Sequence, residues 1–156
     1  MKTIKKIAVG IDFSAYSQEV LKYAGEIAQL HPAEIFAINV INRRQVEYLD
    51  AAMDNESSDS FSPEKYIGDE RKQREAELAE MVKQWIPQSV SSHIIIRNGI
   101  PFEEILMVVK DEKVDLLVIN SKGRSTFRDY MFGTTAEKIF RHCPVSLLSL
   151  NLTINQ

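Results

Sequence analysis

At 156 residues, with 44% hydrophobic and 26% charged side chains, the chain is long enough for one domain with a substantial hydrophobic core. A formal net charge of -3 and a pI near 5.7 exclude nucleic acid as a main partner, because a polyanion is held by a strongly basic surface. The single cysteine, Cys143, excludes an internal disulfide, and no apolar run approaches the roughly 20 residues that span a bilayer.

The chain starts "MKTIKKIAVGIDFS", basic residues before an apolar run too short for a signal segment, so the expected location is the cytoplasm. "IKKIAVGI" ends in a β-rich run, and "DFSAYSQ" reads as a helix entry with Ser14 as its N-cap. Val20, Leu21, Ala24, Ile27 and Ala28 follow at helical spacing until His31-Pro32 closes the segment. "AEIFAINVI" is apolar almost throughout, as befits a strand covered on both faces.

From Gln45 to Ser62 the chain has five carboxylates, no Lys or Arg, and many serines. This stretch reads as a mobile acidic insertion over about 43–62, with at most one weak helical turn. Ser62-Pro63 opens a helix that is polar in its first half and carries Leu78, Val82, Trp85 and Ile86 as a buried stripe in its second. "SSHIIIRN" is a third strand. "GIPFEEILMVVKDE" is a short helix with Phe102, Ile105, Leu106 and Val109 on one face. "VDLLVIN", the helix "TAEKIFRHC" and the strand "VSLLSL" complete the chain. Strands alternating with helices predict a single α/β domain over residues 1–152, a Rossmann-like open parallel sheet of five strands in the order 3-2-1-4-5.

Two large nucleotide-binding motifs are missing. No G-x-x-x-x-G-K-[ST] loop occurs, and "VGIDFSA" after the first strand carries only Gly10. The better candidate for a phosphate cradle is "INSKGRSTFRDYMFGTT", residues 119–135. Gly123 lets the backbone turn close to a ligand, Gly133 and Thr134 stand at a helix start, and Lys122, Arg124 and Arg128 add positive charge. The same residues support a plainer account, with Thr134 to Glu137 as a capping box and Gly133 as a turn residue. The three histidines are scattered without metal-ligand spacing, and no nucleophile with its base or pair of catalytic carboxylates is located.

With "DFS" after the first strand and "VINSKGRSTFRDYMFGTTAEKIFRHCPVSLL" near the end, the whole chain resembles the universal stress protein family. The family motif is G-x-x-G, nine residues, then G-[ST]. Gly123, nine intervening residues and Gly133-Thr134 match it, while Asn120 stands where the first glycine belongs. The resemblance implies ATP or another adenine nucleotide as ligand, with Mg accompanying it and at most slow hydrolysis. It implies that Ile11 and Asp12 lie beside adenine and ribose and that Val40 touches the base. Asn120, Gly123, Arg124, Ser125, Gly133, Thr134 and Thr135 would then surround the phosphates. It also implies a homodimer through the strand at 145–150, where an apolar edge strand invites pairing. The alternative is a nucleotide-free dimeric module that engages an unknown protein partner through its acidic segment.

Overall fold

The computed structural model describes residues 3–53, 61–122 and 133–152. In chain order these form β1 (Lys6–Gly10), α1 (Ser17–Leu30), β2 (Glu34–Asn42), α2 (Arg43–Met53), α3 (Pro63–Trp85) and β3 (Ser92–Gly99). There follow α4 (Pro101–Asp111), β4 (Leu116–Asn120), α5 (Thr134–His142) and β5 (Ser146–Leu150). The five strands lie in the order β3-β2-β1-β4-β5, and every neighbouring pair is parallel, as the sequence predicts.

Two cores sit on the two faces of the sheet. Ile7 and Val9 of β1 join Val20, Leu21 and Ala24 of α1 and Leu78 and Val82 of α3 on one side. Ala8 points the other way, into a cluster with Ile105, Val108 and Val109 of α4 and Ile139 of α5. This alternation is the period-2 pleat of a strand covered on both faces. β2 is buried for most of its length for the same reason. Gly25 makes the α1 side close: a Cβ there would come within 2.8 Å of Pro87 Cδ.

Helix starts follow the sequence at α3 and α4, each opened by a proline, and depart from it at α1. Ser62 caps α3, its hydroxyl accepting from the Lys65 amide, with Pro63 in the first turn. Ser14 is not the cap of α1. The helix begins a turn later at Ser17, and Ser14 instead accepts the Tyr16 amide at 3.3 Å and, through its carbonyl, the Ser17 amide. The expectation of an irregular connection over 43–62 is corrected in its first half, where α2 forms three turns. Its only buried residue is Val46, and Arg43 pairs with Glu47 one turn on, so the helix lies on the surface with little apolar signal. Residues 54–60 lie outside the described residues. No helix among the described residues is long and apolar enough to cross a membrane.

Candidate functional site

The sheet order makes a reversal between β1 and β4. From β1 the chain moves to β2 on one side, whereas β4 leads to β5 on the other. Beyond the carboxyl ends of two such strands the loops part and leave a crevice, which is where open α/β sheets hold ligands. The register puts the sequence candidates level with one another. Val9 pairs with Val118, so three residues further along the two strands stand Asp12 and Ser121. Gly10 pairs with Ile38, so Val40 stands level with Asp12 on the other side. Ile11, Asp12, Val40 and Asn120 are therefore brought to one rim.

The loop after β1 is tightly folded. Asp12 Oδ1 accepts the Ser14 amide at 2.9 Å and the Ser17 hydroxyl at 3.2 Å. Between them Phe13 takes the left-handed conformation, φ 57°, and its ring packs against the α1 side of the core. A bulky residue at positive φ costs free energy, and it persists because Asp12 and the core fix the turn.

Behind this loop lies a buried polar chain. The Ile11 amide donates to Ile38 O, and its carbonyl accepts from Asn39 Nδ2 at 2.8 Å. Asn39 is only 3% exposed. Its Oδ1 accepts from Arg74 Nη1 of α3, and the same nitrogen reaches Val40 O at 3.3 Å. Arg74 Nε is held in turn by Glu70 at 2.7 Å.

On the β4 side, Asn120 is not in a left-handed conformation; Phe13 and Lys113 alone hold positive φ among the described non-glycine residues. The family glycine at this place is therefore replaced with no positive φ to satisfy. The Asn120 amide folds back onto the Lys122 carbonyl, closing the turn, while its buried Oδ1 has no donor among the described residues. Buried Ser121 ties the rim together: its amide donates to Leu150 O and its carbonyl accepts from Gly133. Gly133 is the N-cap of α5 at φ -59° and ψ 146°, with no side-chain cap, so the expected capping box does not form. The Gly133 amide is engaged with Ser121, and the first-turn amides of Thr134 and Thr135 lack an i-4 carbonyl inside the helix. Gly123, Arg124, Ser125 and Arg128 lie outside the described residues.

The chemistry of the rim suits an anion on a hydroxyl-bearing body. The α5 start and Lys122 offer positive potential on one side, and Asp12 offers an acceptor on the other. No group of three His, Cys, Asp or Glu side chains that could hold a metal exists among the described residues. Two concave surfaces lie elsewhere. One of about 520 Å³ runs along the β3 edge beside Arg71 and Arg97, and one of about 700 Å³ lies between α4 and the end of α5. Strand ends and helix dipole favour the rim over both.

Sequence reading missed Asn39, Ser17, Ser121 and Arg74. A signal existed for the first: an asparagine inside the apolar run of β2 has to find partners once buried. Arg74 gave none, being one charge among many in the polar half of α3.

Comparison with known proteins sets this arrangement in context. The model of the universal stress protein family matches residues 3–150. The universal stress protein MJ0531 of Methanocaldococcus jannaschii is 29% identical over 143 residues, 90% of this chain and 79% of that one. The solved structure of the protein MJ0577 superposes with a TM-score of 0.81 at 20% identity, covering 99% of this chain and all of that one. A universal stress protein from Archaeoglobus fulgidus, solved in complex with dAMP, gives a TM-score of 0.62 at 14% identity, with 95% and 98% covered.

Proposed function

The chain belongs to the universal stress protein family, and we propose that it is a stress-response regulator that binds ATP or a related adenine nucleotide at the β1–β4 crevice. The observation that carries this reading is the common level of Asp12, Val40 and Ser121, with Asn120 and the α5 start beside Ser121, at the reversal of strand order. In this reading Asp12 and Ile11 border the nucleoside, and Val40 lies along the base. The amides of Thr134 and Thr135 face the phosphates together with the 123–125 segment. The dAMP complex of the Archaeoglobus fulgidus relative supports an adenine nucleotide as the ligand class.

In this reading the role is sensing rather than turnover, and the rim carboxylate Asp12 is held by the Ser14 amide and the Ser17 hydroxyl as part of the turn. The protein acts in the cytoplasm as a homodimer that pairs through β5. A second reading, a nucleotide-free interaction module, draws on the Asn120 side chain occupying the place of the family glycine. Protein purified without added ligand, denatured, and assayed for released adenine nucleotide decides between them. Stoichiometric release supports the sensor. No release, together with no binding of added ATP, ADP or AMP by calorimetry, supports the module.

A further inference from the structure

Arg74 stands out among the charged side chains of α3. Its side chain is 15% exposed, and its guanidinium donates to Asn39 Oδ1 at 3.1 Å, to Val40 O at 3.3 Å and to Glu70 Oε2 at 2.7 Å. Through Asn39 the chain of bonds continues to Ile11 O, one residue before Asp12. β1 ends opposite Ile38, so beyond that point no strand neighbour fixes this edge of β2. A side chain from α3 does so instead.

We infer that Arg74 is a positioning residue that sets the nucleoside end of the crevice; the inference rests on the nucleotide reading given above. Two effects of a part-buried guanidinium compete here, its field and its geometry. Glu70, itself 22% exposed, faces it at 2.7 Å and cancels most of the field that a phosphate would feel. Geometry remains. Nη1 bonds two acceptors on adjacent residues of β2 while Nε of the same planar group is held by Glu70, and Asn39 passes that constraint to the exit of β1. Arg74 thus fixes the spacing between Val40 and Asp12, the two borders of a nucleoside, and is remote in the bonding scheme from the Asn120–Thr135 side where phosphates would lie. A lysine at this place keeps the charge and provides one donor atom in place of the fork.

Calorimetry with ATP and with inorganic tripolyphosphate, on wild type, Arg74→Met and Arg74→Lys, tests this. Arg74→Met is expected to weaken ATP by roughly tenfold or more while leaving tripolyphosphate within about twofold. Arg74→Lys is expected to regain the wild-type melting temperature more fully than the ATP affinity. ATP binding that is equal in wild type and Arg74→Met overturns the positioning role. So does an equal loss for both ligands in either variant, which would mark a purely structural residue. A wild type that binds neither ligand removes the nucleotide reading itself, a different result from either of these.

Discussion

The Asn39 side-chain amide donates to the Ile11 carbonyl at 2.8 Å from a position that is 3% exposed, joining the ends of β1 and β2 below the crevice. Asn39→Leu fits the apolar strand by size but leaves Ile11 O and one Arg74 donor buried without partners. Stability should fall by about 1–3 kcal/mol in urea titration, with the slope unchanged. A change within about 0.5 kcal/mol would mean that water or a backbone shift replaces the bond.

Gly133 occupies φ -59° and ψ 146°, a region open to every residue, so Gly133→Val should fold normally. The added branched carbons stand at the α5 start, where a phosphate would approach. At ligand concentrations near 100 times Kd, wild type should gain roughly 2.7 kcal/mol, read as a melting shift, and the variant should gain much less. Equal shifts would move the phosphates away from α5.

At Asn120 the backbone does not call for glycine, and the side chain is spent on the Lys122 carbonyl within its own turn. Asn120→Gly should therefore leave nucleotide affinity within about threefold while costing about 1 kcal/mol of stability, from the lost bond and the looser backbone. Binding that emerges only in the glycine variant would identify Asn120 as a block.

The proposed pairing through β5 depends on which backbone groups face outward. Leu150 O is turned inward, accepting from Ser121, so by the alternation of a strand Ser149 presents its amide at the free edge. Ser149→Pro removes that donor without touching the β4–β5 ladder, and its buried hydroxyl has no partner to lose. Analytical ultracentrifugation should show a shift from dimer to monomer. An undisturbed dimer would place the interface elsewhere.

At the amino end of the sheet, Glu34 lies 2.9 Å from His93 Nε2 and 3.5 Å from Lys6 Nζ. The His93 hydrogen bond is the main reason its carboxyl titrates below the ordinary value; partial burial opposes this, and the Lys6 charge assists. A folded pKa below the unfolded one stabilises above the unfolded value, and that contribution is lost as pH falls through the folded value. The melting-temperature gap between wild type and Glu34→Gln should accordingly narrow from about pH 6 to about pH 3. A gap that widens on acidification would reverse the assignment.

Particular residues show why some features were legible in the sequence and others were not. The apolar run of β2 and the prolines at 63 and 101 mark a covered strand and two helix starts through local chemistry alone, and the structure keeps all three. α2 was not legible, because a helix with one buried residue has almost no periodic signal. Ser14 and Thr134 carry the right chemistry for caps, yet other bonds claim their neighbourhoods: Asp12 organises the first turn, and Ser121 holds Gly133. The rim was legible as two loops and a helix start. The Glu70–Arg74–Asn39 chain beneath it was not, since it joins residues 35 positions apart through tertiary packing.

The central place of β1 also has a consequence during translation. Its first edge can pair as soon as β2 leaves the ribosome, but the other edge waits for β4, and Lys6 lies 109 positions from the Asp115 that anchors it. At about 5–20 residues per second, that is a delay of roughly 5–20 seconds. For that time the nascent chain displays a bare, apolar strand edge in the middle of its unfinished sheet. This is the kind of surface that chaperones bind and that neighbouring nascent chains can extend into aggregates.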